Sequence, residues 1–142
     1  MTRRRNNMFS IEHKQEIMKL LGESGCYFLS TLFLAERISG KKIEPLETFV
    51  LCIEKGIIDK DGTVLDAGKL MSVMTDMDFQ AKKCTPDYIA QPGEFEVLVF
   101  SNEKHTHFVA GDGRGGVACD PLGHSQTVAT GRVLSKRIFY RA

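Results

Sequence analysis

The chain has 142 residues, one domain's worth, enough to bury a hydrophobic core without disulfide staples. It is 42% hydrophobic and 26% charged, which excludes a disordered or collagen-like chain. Nineteen Lys and Arg against eighteen Asp and Glu leave a formal net charge of +1, and there is no Trp. Neither bulk electrostatics nor an aromatic platform argues for a nucleic-acid partner.

No run of 18 apolar residues is present, so no membrane insertion is expected. Arg3-Arg4-Arg5 imitates the charged head of a signal peptide, but the polar residues Asn6, Asn7, Glu12 and His13 follow where an apolar core belongs. A cytoplasmic protein is the expectation, with residues 1–8 as a flexible arm on one domain spanning 1–142. The four cysteines, Cys26, Cys52, Cys84 and Cys119, form no Cys-x-x-Cys pair and need not pair in a reducing compartment.

Taken in chain order, Ile11, Ile17, Met18, Leu20 and Leu21 recur near helical spacing up to Gly22. A second helix is expected to start around Ser24-Gly25-Cys26 and run to Arg37, before Gly40. It is apolar nearly all round, as a central buried helix is. A third fits Pro45 to Lys55, with Pro45 in its first turn and Gly56 past its end. Asp59-Lys60-Asp61-Gly62 signals a turn, and Leu70 to Phe79 reads either as a short helix or as a linker.

From Gly93 onward the pattern changes to strands: Phe95 to Phe100, His107 to Ala110, Val117 to Asp120, and a last one within Arg132 to Tyr140. A glycine-rich turn at Gly111 to Gly116 joins the second and third of these. Helices first and antiparallel strands afterwards make an α+β domain, its N-terminal helices packed on a C-terminal sheet.

Cys26 falls at a helix start, where unsatisfied N–H groups and the macrodipole favour a thiolate. Gly25 before it leaves room for a substrate backbone. If the turn is centred in Asp112 to Gly116, Ala110 faces Val117 or Ala118, and His107 faces Asp120 or its neighbour. A carboxylate there can orient the imidazole. Nucleophile, base and orienting group are the parts of a thiol hydrolase. The plainer reading of each residue alone is a buried small hydrophobe, a strand-end His and an Asp opening a turn at Pro121.

His105, with Cys119 and His124, has the ligand types for zinc but no recognised finger spacing, so no metal is expected. The glycine run lacks the Gly-Lys-Ser/Thr of a phosphate loop.

The segments Ser24-Gly25-Cys26-Tyr27-Phe28, His107-Phe108-Val109-Ala110-Gly111 and Cys119-Asp120-Pro121 stand in an order that resembles papain-like cysteine peptidases. They are most similar to the group that cleaves bacteriocin leaders. That resemblance implies a papain-like fold and a peptide or protein substrate. It implies Cys26 as nucleophile, His107 as base and acid, Asp120 as the orienting residue, and no cofactor. Such enzymes commonly carry a Gln shortly before the Cys to complete the oxyanion hole. Here Leu20 to Ser24 occupy that stretch, leaving Gln15 farther upstream or Ser24 as substitutes. The alternatives are an inactive peptide-binding module with a vestigial cleft, and a deamidase or cell-wall amidase using the same triad.

Overall fold

The computed structural model describes residues 11–142. The expected arm at 1–8 lies outside the described residues. Helix α1 (Ile11–Ser24) breaks at Gly25, and α2 (Cys26–Ser39) starts at once. The N–H of Gly25 closes α1 on the carbonyl of Leu21 (2.9 Å), and its own carbonyl accepts the N–H of Leu29 (2.7 Å). A Cβ at Gly25 would sit 2.2 Å from the Leu21 oxygen, so only glycine fits this corner. The glycine therefore serves the bend between two helices.

Helix α3 (Pro45–Glu54) has Pro45 at its start, and the Glu44 carboxylate accepts the N–H of Glu47 (2.6 Å). Helix α4 (Ala67–Thr75) is capped by Asp66, which accepts from the N–H of Lys69 (3.0 Å). Both caps satisfy donors that a helix start leaves open. The Leu70 to Phe79 ambiguity thus resolves into α4 followed by a strand, β1 (Phe79–Cys84), that the sequence pattern does not announce.

Strands β2 (Phe95–Ser101), β3 (Thr106–Gly111), β4 (Val117–Cys119) and β5 (Arg132–Arg141) complete the sheet, with a short helix α5 (Gln126–Thr130) before β5. The order is β1-β5-β2-β3-β4, and every neighbouring pair is antiparallel. The protein is α+β, with α5 the one described helix inside the strand-rich half.

Helix α2 packs against β3 and β2 and also touches α1, α3 and α4. Phe28 on α2 meets Phe49 on α3 edge-on at 5.0 Å, within a core that includes Leu70, Met71, Ile57 and Phe139. Val97 and Ala110 point into this core. The alternate residues Leu98, Phe100 and Val109 form a second cluster with Val128 of α5. Strands β2 and β3 are therefore covered on both faces, which explains their near-continuous apolar run. Among the described residues no single helix is long and apolar enough to cross a membrane.

Candidate functional site

Cys26 is the first residue of α2, and among the described residues no side chain caps that helix. The orphan N–H groups of its first turn are therefore free to face the thiol. Strand β4 is short, pairing with β3 only at Ala110 and Gly111, so the edge of β3 stands open at Phe108. The start of α2 fills that edge. Ser30 Oγ donates to the Phe108 carbonyl (3.2 Å), and the Tyr27 ring stacks on Phe108 at 4.5 Å, within 5° of parallel.

Burial pushes the Cys26 thiol pKa above its ordinary value. The N–H groups of Phe108, Tyr27 and Cys26 itself pull it down, and the negative charge of Asp120 adds to the rise. The expected lowering at a helix start is real as an influence, but desolvation outweighs it. Cys119 is likewise raised by burial and then by Asp120, and Cys52 is pushed by burial up to about 11. All four thiols are free.

His107 alternates to the other face of β3, the one it shares with Val109 and α5. Its Nε2 lies 2.7 Å from Oδ1 of Asp120, with both side chains under a tenth exposed. The contact forms, although the register differs from expectation. Ala110 pairs with Cys119, not with Val117 or Ala118, because the ladder shifts between Ala110 and Gly111. Continuing that register sets Asp120 diagonal to His107 on one face, still within reach.

Asp120 also accepts from the N–H of Leu122 on Oδ1 (2.9 Å) and from Ser125 Oγ on Oδ2 (2.9 Å). Burial acts to raise its carboxyl, but the hydrogen bonds from His107, Leu122 and Ser125 outweigh this and hold it below the usual aspartate value. An ionised Asp120 requires Nε2 to carry the ring proton. That leaves Nδ1 as the basic nitrogen, and among the described residues it makes no hydrogen bond.

Cys26 of α2 and His107 of β3 line one cleft of about 410 Å³. No hydrogen bond joins Sγ to the ring. The same cleft is lined by His105, Leu122, His124 and Gln126. Gln15 is exposed on α1 and absent from that lining, and the Ser24 side chain lies outside the described ones. Cys119 packs against the main core rather than beside His105 and His124. Among the described residues no three His, Cys, Asp or Glu side chains gather to hold a metal ion.

A family model, described as "Protein of unknown function, DUF261", matches residues 8–141. The chain belongs to the DUF261 family. No curated protein and no solved structure matches it.

Two residues that position the site of this DUF261 chain are not evident from sequence pattern. Ser125 both holds Asp120 and caps α5, where it accepts from the N–H of Val128 (3.4 Å). A Ser five residues after the Asp, at the head of a short polar helix, is the signal the sequence offers. Glu96 is fully buried, and its Oε2 accepts the N–H groups of Gly113 (2.9 Å) and Gly115 (3.0 Å). Its Oε1 lies 3.3 Å from Nζ of Lys136, outside hydrogen-bond geometry, and that ammonium donates to the Tyr88 carbonyl (2.8 Å). The glycine-rich turn is thus a cradle for the protein's own carboxylate. It fixes the β3–β4 connection that delivers Asp120. A lone Glu in Phe-Glu-Val-Leu-Val-Phe is the sign of it.

Proposed function

We propose that the protein is a papain-like thiol hydrolase that opens an amide bond, with Cys26, His107 and Asp120 as its catalytic set. One observation carries the reading: a thiol at the start of a buried helix shares a cleft with an imidazole whose far nitrogen is held by a carboxylate. The order of elements, a central helix followed by an antiparallel sheet, supports the same reading.

The chemistry follows from the proton inventory. Nδ1 of His107 takes the thiol proton as Sγ attacks the carbonyl carbon. The carbonyl π bond opens to an oxyanion. The N–H of Cys26 and the side-chain amide of Gln126, both residues of the cleft lining, would serve as donors to it. Collapse breaks the C–N bond, and the proton on Nδ1 passes to the leaving amine. Water, deprotonated by the same nitrogen, then releases the acid and restores the thiol. Asp120 keeps the ring in the useful tautomer and offsets its transient positive charge. No step calls for a cofactor.

Incubation with a complex peptide mixture, read by mass spectrometry, tests the proposal against the Cys26→Ala protein. New amino termini support a peptidase. Conversion of glutamine or asparagine side chains to acids without new termini supports a deamidase. Neither outcome in the active-thiol protein leaves the peptide-binding module. That second reading is favoured by the raised thiol and the absent Sγ–imidazole hydrogen bond, although catalytic contacts often tighten only with substrate bound.

A further inference from the structure

Cys26 stands between two clefts. Away from His107 it lines a second one, of about 380 Å³, with Tyr27, Asp61, Phe108 and Arg137. Tyr27, Val64 and Arg137 are also walls of a larger groove of about 810 Å³ along α4 and β1, so the two share one boundary. Arg137 sits at that boundary, next to the nucleophile.

Its guanidinium lies 5.8 Å from the centre of the Phe108 ring, and Nη1 donates to Ser135 Oγ (2.9 Å). Among the described residues the rest of the fork makes no hydrogen bond or ion pair. Among the described residues the nearby carboxylates that form ion pairs go elsewhere: Glu94 to Lys82, Asp120 to His107, Glu96 to Lys136. Asp61 lines the same cleft but is exposed and makes no ion pair with Arg137. The groove beyond carries Lys69, Lys82 and Lys83 against Asp66 and Asp78, and the Asp66 carboxylate already caps α4. A half-buried guanidinium has lost part of its hydration, and its planar fork matches a carboxylate with two parallel hydrogen bonds.

We infer that Arg137 is the specificity-determining residue of this cleft, receiving a carboxylate of the substrate beside the amide that Cys26 attacks. The inference rests on the thiol-hydrolase reading and names its substrate class: a peptide or amide with an acidic group close to the reacting bond. A side-chain acid and a free terminal carboxylate present the same chemistry to the fork.

Chloroacetyl dipeptides test this on the full chain, with labelling followed at each cysteine by mass spectrometry. Three probes suffice: a neutral Ala-Ala amide, a Glu-Ala amide with a side-chain acid, and an Ala-Ala with its terminal carboxylate free. At least one acidic probe should label Cys26 about tenfold faster than the neutral one, and the faster arm identifies the source. In Arg137→Gln the preference should shrink to about twofold or less, and Arg137→Lys, which keeps charge without the fork, should hold an intermediate value. Equal labelling of Cys26 by all three probes overturns the inference and leaves the nucleophile standing. An acid preference unchanged in both variants removes Arg137 from the role; where Arg137→Gln does not fold, Arg137→Lys alone decides. Labelling of Cys26 no faster than of Cys84 and Cys119 with every probe overturns the nucleophile, and this inference with it.

Discussion

Replacing Asp120 by Asn and by Ala separates the charge of this carboxylate from its hydrogen bonds. Oδ1 accepts from His107 (2.7 Å) and the N–H of Leu122 (2.9 Å), and Oδ2 accepts from Ser125 (2.9 Å). An Asn whose oxygen replaces Oδ1 keeps the first two bonds. Its NH₂ then faces Ser125, whose hydroxyl can turn to accept. Three contacts survive, the ring keeps its Nε2–H tautomer, and only the charge is lost. A hydrogen bond to a charged group contributes about 1.5–3 kcal/mol against about 1 for a neutral pair, so Asp120→Asn should cost about 1–2 kcal/mol. Ala leaves three donors without an acceptor, and water entering from the cleft offsets part of that, for a cost of about 3–5 kcal/mol. Urea unfolding near pH 7, at a slope of about 2 kcal/mol/M, should show midpoints lower by about 0.5–1 M for Asn and about 2 M for Ala. The carboxyl's folded pKa is held down by these bonds against the effect of burial. Its stabilisation is therefore complete above the unfolded value of about 3.9 and is lost as pH falls through the folded value. The gap between wild type and Asp120→Asn should accordingly close on the acid side of about pH 4. Equal losses for Asn and Ala, or a gap that persists in acid, would refute the assignment of these bonds.

Three further outcomes follow from the same geometry. Alkylation of Cys26 by iodoacetamide should rise with pH to a midpoint above the free-thiol value of about 8.5, because burial is the largest influence on it; a midpoint near pH 6 would mean that the helix start and His107 win instead. Glu96→Ala removes the acceptor for two glycine N–H groups and leaves Lys136 buried without its anion, a loss of about 3–5 kcal/mol in denaturant unfolding. Gly25→Ala drives a Cβ into the Leu21 carbonyl, and the unfolding midpoint should fall by the equivalent of about 1–3 kcal/mol.

The elements with a strong pattern are legible in the amino-acid sequence. The apolar run Tyr27 to Ala35 and the break at Gly25 are enough to start α2 at Cys26, and a glycine-rich turn between His107 and Asp120 is enough to bring them together. The register is not legible, because the shift at Gly111 depends on a buried Glu96 reaching the turn from a neighbouring strand. Strand β1, Phe-Gln-Ala-Lys-Lys-Cys, is an edge strand with mostly polar residues, so no alternation marks it. The thiol's pKa depends on how deeply the helix start is buried under Phe108 and its neighbours, which spacing along the chain does not encode. Arg137 reads in sequence as one more cation on a strand; only the fold brings it to a cleft that Cys26 also lines, with no carboxylate partner among the described residues.

The most direct test of the central claim is acyl transfer to Cys26 from a p-nitrophenyl ester, followed by nitrophenol release and by intact-protein mass. Wild type should give a transient acyl adduct on Cys26 that then hydrolyses, Cys26→Ala should give none, and His107→Ala should acylate at least about 100-fold more slowly. Acylation spread evenly over Cys26, Cys84 and Cys119, or a Cys26 adduct that forms equally fast without His107, would contradict the account.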